Sequence, residues 1–167
     1  MNTLYLLRHA HAGMAGPGLT DKDRTLTDRG LDACQSIAGQ LKDDSIQPRL
    51  ILCSTAVRTR QTLDAISHIW QETPEIVFVD SIYESRFEDI RASIAKYSDQ
   101  HKEIMVIGHN PGLQDLSLYL GNTPGAAPYQ DALRDFSPGN MAKLYCDDDP
   151  WIDITPGKFT FLKIYRP

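Results

Sequence analysis

Three short apolar runs in this chain each stop at residues able to bind or attack an anion. Leu4-Tyr5-Leu6-Leu7 ends at Arg8-His9, Leu50-Ile51-Leu52-Cys53 ends at Ser54 just ahead of Arg58, and Ile104-Met105-Val106-Ile107 ends at Gly108-His109. Runs this short and this continuously apolar read as strands buried on both faces, which belong in parallel sheets covered by helices. In an open parallel sheet, ligands bind beyond the carboxyl ends of the strands. If the three strands are neighbours, their polar ends converge on one site. That pattern restricts the chain to an α/β fold.

The remaining segments fit the same alternation. Thr27 can cap a helix whose apolar positions are Leu31, Cys34, Ile37, Ala38 and Leu41, with Asp28 at its positive end. A second helix is expected from about Ala56 to Trp70, with Thr62, Leu63, Ile66 and Ile69 inward. Ile76 to Val79 reads as a third strand, and Phe87, Ile90, Ile94 and Tyr97 mark a short amphipathic helix. Asn110 is expected to cap a further helix with Pro111 at its first position and Leu113, Leu116 and Leu120 inward. Gly121 to Gly139 reads as a surface loop. Met141 to Cys146 and Phe159 to Tyr165 are expected as two final strands. Asp147 to Pro150 and Thr155 to Gly157 read as turns.

At 167 residues, a single domain over 1–167 is the expectation. Charged residues are 23% and hydrophobic residues 41% of the chain, as in soluble globular proteins. No apolar run is long enough to span a membrane, and nothing at the start resembles a secretory leader, so a cytoplasmic protein is expected. The net charge of -5 argues against nucleic acid as partner. Cys34, Cys53 and Cys146 lie far apart and are odd in number, which reads as reduced buried thiols rather than disulfides or a zinc site.

The polar strand ends suggest phosphoryl chemistry. An arginine beside a strand-end histidine is costly to bury unless it meets an anion, and its planar fork matches phosphate oxygens. A neutral imidazole is a competent nucleophile. Arg58 falls at the first turn of a helix, already a place for anions. Gly108 allows close approach of backbone to ligand before His109.

In this order and spacing, Arg8-His9, Ser54 to Arg58 and Gly108-His109 resemble the histidine phosphatase superfamily. Arg24-Thr25-Leu26-Thr27-Asp28-Arg29-Gly30 resembles the same family's loop before its first helix. Ala10 stands where the family usually has glycine, and Thr55 where it usually has proline. Neither change removes a functional group. The resemblance implies a phosphoglycerate mutase-like fold, a three-layer α/β/α sandwich around a mostly parallel sheet. The short span between Val79 and Ile104 is similar to the small SixA-like phosphohistidine phosphatases. The resemblance further implies His9 as nucleophile and Arg8, Arg58 and His109 as holders of the phosphoryl oxygens. Arg24 would help bind, Glu84 would be the proton-transferring carboxylate, and no metal or cofactor would be needed. Such a cationic pocket calls for a dianionic ligand.

Other motifs read differently. Asp21-Lys22-Asp23-Arg24-Thr25 spells the nucleophile motif of magnesium-dependent haloacid dehalogenase-type phosphatases, but a loop precedes it where that chemistry needs a strand. Cys53 and Arg58 have four residues between them, where a cysteine phosphatase loop needs five. His9-Ala10-His11 lacks placed carboxylates for a metal. His68 and His101 read as ordinary surface residues. Protein phosphohistidine, for example on a histidine-phosphotransfer domain, is the expected substrate, and small phosphate monoesters are the alternative. A non-catalytic phosphoprotein-binding module is a rival of another class, although binding alone would need only the arginines. Oligomeric state is not legible.

Overall fold

The computed structural model describes residues 1–98, 100–121, 127–147, 151 and 154–167. Six strands form one sheet: β1 (Asn2–Arg8), β2 (Leu50–Ser54), β3 (Glu75–Val79), β4 (Glu103–Gly108), β5 (Met141–Cys146) and β6 (Thr160–Tyr165). They lie side by side in the order β3-β2-β4-β1-β5-β6. The first four in that order run parallel. β5 turns antiparallel to β1, and β6 antiparallel to β5.

Alternation along the strands sorts the core into two layers. Leu4, Leu6, Leu50, Leu52, Ile104 and Val106 face one side and pack with Ile90, Ile94, Leu113, Leu116 and Leu120. Those partners come from α3 (Phe87–Tyr97) and α4 (Gly112–Leu120). Tyr5, Leu7, Ile51, Cys53, Met105 and Ile107 face the other side, against Cys34, Ile37, Leu41, Leu63 and Ile66. These come from α1 (Asp28–Asp43) and α2 (Val57–Ile66). The result is helix, sheet, helix, in which each fully buried aliphatic side chain contributes about 1.5–3 kcal/mol.

The layering also locates a crevice. β4 lies between β1 and β2. The helix that follows β1 goes to one face, and the helix that follows β4 goes to the other. The carboxyl ends of β1 and β4 therefore form a switch point, where such sheets open a ligand site.

Several elements differ from the sequence reading. Regular helix in α2 stops at Ile66, and a 3-10 turn over Ser67–Ile69 completes the segment. Leu31 lies on α1 but is 43% exposed: the buried stripe runs through Gly30, Cys34, Ile37, Ala38 and Leu41, and Leu31 falls beside it. Asn110 does not cap α4. The peptide to Pro111 is cis and α4 begins at Gly112, while the Asn110 amide nitrogen donates to Phe136 O at 3.0 Å and Gln114 Oε1 at 3.1 Å. Part of the expected loop at 121–139 is helix α5 (Ala127–Leu133), and residues 122–126 lie outside the described residues. So do residues 148–150 of the expected acidic turn. Thr27 caps α1 as expected, accepting from the Gly30 amide at 3.2 Å. Cys34, Cys53 and Cys146 are buried and form no disulfide among the described residues. Among the described residues, no helix is long and apolar enough to cross a membrane.

Candidate active site

β1 ends at Arg8, and the amide of His9 continues the ladder by donating to Gly108 O at 3.0 Å. The corner is bracketed from the β5 side. The Arg8 amide donates to Asn140 O at 3.0 Å, and the Gly139 amide donates to His9 O at 3.0 Å. On the α1 side the backbone approaches very closely: a Cβ on Gly30 would fall 2.2 Å from His11 O. Only glycine allows that contact, so α1 is pressed directly on the segment that carries the histidine.

The His9 imidazole is buried and its two nitrogens are distinguishable. Nδ1 lies 2.8 Å from Ala10 O, which can only accept, so Nδ1 carries the hydrogen. Nε2 accepts from Arg58 Nε at 3.2 Å and therefore presents its lone pair. His109 is the mirror case. Its Nδ1 lies 3.2 Å from Arg58 Nη2, which can only donate, so Nε2–H donates to Ser54 Oγ at 2.8 Å. The two rings are 5.1 Å apart. Burial chiefly, and then the arginine charges, lower the His9 pKa to about 4. Burial, then His9 and Arg58, lower that of His109 to about 3. Both rings are neutral near pH 7.

Arg58 connects these groups. It is only 4% exposed, on the first turn of α2 where Ser54 and Ala56 lead out of β2. Besides the histidines, it donates through Nη1 to Asp21 O at 2.7 Å and through Nη2 to Asp21 Oδ2 at 3.0 Å. Arg8 donates through Nη1 to Phe136 O at 2.7 Å, while its buried Nε has no hydrogen-bond partner among the described residues. Arg24 is held by Gly13 O at 2.6 Å and by Asp21 Oδ1 at 2.9 Å. These residues, with Glu84, Asn110 and others, line a cavity of about 290 Å³.

Every site residue expected from the sequence lines this cavity: Arg8, His9, Arg24, Arg58, Glu84 and His109. Glu84 has φ 48°, a left-handed conformation costly for a residue with a Cβ. Its loop is fixed by α4, where a Cβ on Gly112 would fall 2.4 Å from Ser85 O. Thr55, in the place of the family's proline, donates to Asp80 Oδ1 at 2.5 Å. Ala10, in the place of the glycine, is buried and donates its amide to Thr62 Oγ1 at 3.1 Å.

One ionised residue of the cavity was missed from sequence. Asp21, read there only as part of an unsuited motif, sits on a 3-10 turn over Asp21–Asp23 and reaches the pocket mouth. Tyr83 OH also donates to its Oδ2, at 2.9 Å. The hydrogen bond from Arg24 most strongly, with help from Tyr83 and Arg58, lowers the Asp21 pKa to about 2. The available signal was the spacing of Asp21 and Arg24, an i,i+3 ion pair. Asp21 also alters the expected charge balance: with Glu84 it sets two carboxylates against the three arginines of the cavity wall. The His9-x-His11 spacing offers no metal pair, since both His9 nitrogens are engaged and His11 Nδ1 lies 2.8 Å from Thr27 Oγ1.

Residues 4–115 match the histidine phosphatase superfamily (branch 1). A candidate phosphohistidine phosphatase SixA from Nakamurella multipartitia superposes with a TM-score of 0.86 at 28% identity, covering 99% of this chain and 96% of that one. Its counterpart from Agrobacterium tumefaciens gives 0.83 at 30% identity, covering 99% and 98%. More distantly, a phosphoglycerate mutase from Plasmodium falciparum shares the fold, with a TM-score of 0.63 at 16% identity over 98% of this chain and 91% of that one.

Proposed function

Since the chain belongs to the histidine phosphatase superfamily, we propose that this phosphatase transfers the phosphoryl group of protein phosphohistidine to His9 and then to water. The observation that carries the reading is the hydrogen bond from Arg58 Nε to His9 Nε2. It marks Nε2 as the unprotonated nitrogen of a neutral, buried imidazole inside a ring of arginines. The substrate class is suggested by the phosphohistidine phosphatase names of the two similar structures.

In this scheme the Nε2 lone pair forms the new bond to phosphorus as the bond to the leaving group breaks in line. Arg8, Arg58 and His109 hold the three equatorial oxygens, and Arg24 closes the rim. Donors fixed before the reaction are commonly worth about 3–4 kcal/mol each. Water then attacks the phosphorus of phospho-His9, and Glu84 takes its proton. No metal or cofactor enters, and one domain acting in the cytoplasm suffices.

Glu84 favours a second reading. A phosphate ester leaves as an alkoxide and needs an acid, and a strained carboxylate on the cavity wall is suited to that task. Small phosphate monoesters are therefore the alternative substrates. Glu84→Gln separates the two. In kcat/KM, which reports the transfer to His9 and not the later attack by water, a phosphohistidine peptide is expected to stay near wild type while an ester falls at least tenfold. A deep loss on both would count against phosphohistidine. The nucleophile is tested by rapid quenching with radiolabelled substrate, which should leave acid-labile, base-stable label on His9. No label in the wild type, or label retained in His9→Ala, would remove His9 from its role.

A further inference from the structure

The function proposed above leaves Asp21 without a task, yet the fold invests four contacts in placing it. Arg58 grips its backbone and its carboxylate, Arg24 holds the other carboxylate oxygen, and Tyr83 holds the first again. Lys22, next in the chain, pairs with Asp80 across the same seam and lies 5.3 Å from the Tyr83 ring centroid. A carboxylate so placed is paradoxical in a pocket for a phosphoryl dianion, because it repels the ligand and occupies a fork that could grip it.

The paradox resolves if the carboxylate faces the leaving group instead. Arg58 spans the site: Nε meets the nucleophilic nitrogen of His9, and the two terminal nitrogens meet Asp21. An in-line displacement puts the leaving group on the side of phosphorus away from His9 Nε2, and Asp21 is the cavity carboxylate that Arg58 holds with the nitrogens it does not turn to that histidine. A carboxylate oxygen accepts about two hydrogen bonds. Oδ2 already receives two, from Arg58 and Tyr83, whereas Oδ1 receives one, from Arg24. The Asp21 side chain is 42% exposed where it lines the cavity.

We propose that Asp21 is a specificity residue that accepts a hydrogen bond from a protonated imidazole leaving group, and so selects phosphohistidine over anionic phosphate esters. This rests on the phosphohistidine reading above and deepens it.

The chemistry explains what is gained. When the ring nitrogen remote from phosphorus keeps its proton, breaking the P–N bond returns the bonding pair to the other nitrogen. The group then departs as neutral imidazole, while His9 Nε2 supplies the pair for the new bond. Without that proton the leaving group is an imidazolide anion and transfer is slow. An anion beside the remote N–H keeps the ring protonated to higher pH. The carboxylate is itself ionised throughout the neutral range, so the alkaline limb of the rate reports on the substrate ring.

The test compares kcat/KM for a phosphohistidine peptide and for p-nitrophenyl phosphate, from pH 5.5 to 9, in wild type, Asp21→Asn and Asp21→Glu. In Asp21→Asn the ratio of the two values at pH 8 is expected to fall at least tenfold, as befits a lost charged hydrogen bond. The alkaline limb on phosphohistidine should move to lower pH, and Asp21→Glu should restore both. A ratio within threefold of wild type means that Asp21 only holds Arg58 or only competes with phosphate, and overturns the proposal. So does an unmoved limb. Failure of the underlying reading looks different: wild-type protein would then cleave p-nitrophenyl phosphate and leave phosphohistidine intact.

Discussion

Arg58 Nε points its hydrogen at the lone pair of His9 Nε2 across 3.2 Å. A permanent cation on that side of the ring opposes its protonation, and burial opposes it more. The same contact means that a phosphorus atom approaching Nε2 must take the place Arg58 now holds. The arginine then exchanges a nitrogen for phosphoryl oxygens, a stronger charge-assisted pairing.

The ionisation of both rings can be read directly. In an NMR titration of labelled histidines, His9 is expected to titrate near pH 4 and His109 near pH 3. A midpoint near 6.5 for His9 would show that the pocket does not hold it neutral.

The same shifts govern stability. Both folded-state pKa values lie below the unfolded value of about 6.5, so between roughly pH 4 and 6.5 the unfolded chain binds more protons. Stability is therefore full above about pH 6.5 and falls on acidification, each histidine adding up to about 1.4 kcal/mol per pH unit. Urea unfolding at pH 7 and pH 5 should show the loss, and His109→Gln should shrink it. An identical pH dependence in that variant would contradict the burial argument.

Gly30→Ala tests the packing that fixes the nucleophile. The added Cβ would fall 2.2 Å from His11 O, a backbone atom that cannot swing away. Either α1 or the segment after His9 must move. A loss of about 1–3 kcal/mol is expected from overpacking of this kind, with a fall in turnover larger than the small change in chemistry would suggest. Denaturation midpoints and p-nitrophenyl phosphate kinetics measure the two effects. An alanine variant as stable and active as wild type would mean that the contact does not brace the site.

The sequence exposed one half of the site and concealed the other. Arg8, His9, Ser54 and His109 were legible because each ends an apolar run, and a buried strand must stop where its polar residues begin. Their convergence was not legible, since it depends on β4 entering between β1 and β2, which only the assembled sheet decides. Asp21 was hidden for a related reason: no periodicity marks a residue on a turn, and its partners Arg58 and Tyr83 lie 37 and 62 positions away. Helix α5 was masked by the prolines and glycines around it. Leu31 satisfied the helical spacing, but Gly30 takes the inward place in that turn, where α1 comes up against the backbone of His11.

His109 faces the hardest requirement of the proposed chemistry. Its Nδ1 now accepts from Arg58 Nη2, and its proton is on Nε2, donated to Ser54. To hold a phosphoryl oxygen as well, Nδ1 must carry a proton that the structure does not give it. A dianion in the pocket supplies the cause: it replaces His109 as acceptor for Arg58 and adds negative charge beside the ring. Both changes raise its pKa from about 3. Binding of an oxyanion should thus take up protons, as many as one per site. Titration calorimetry with tungstate, which stays dianionic near pH 7.5, reads this uptake as a difference in heat between buffers of unlike ionisation enthalpy. His109→Asn is expected to abolish the difference and weaken binding at least tenfold. Equal heats in both buffers for the wild type would show that His109 stays neutral, leaving the oxygens to Arg8 and Arg58 alone.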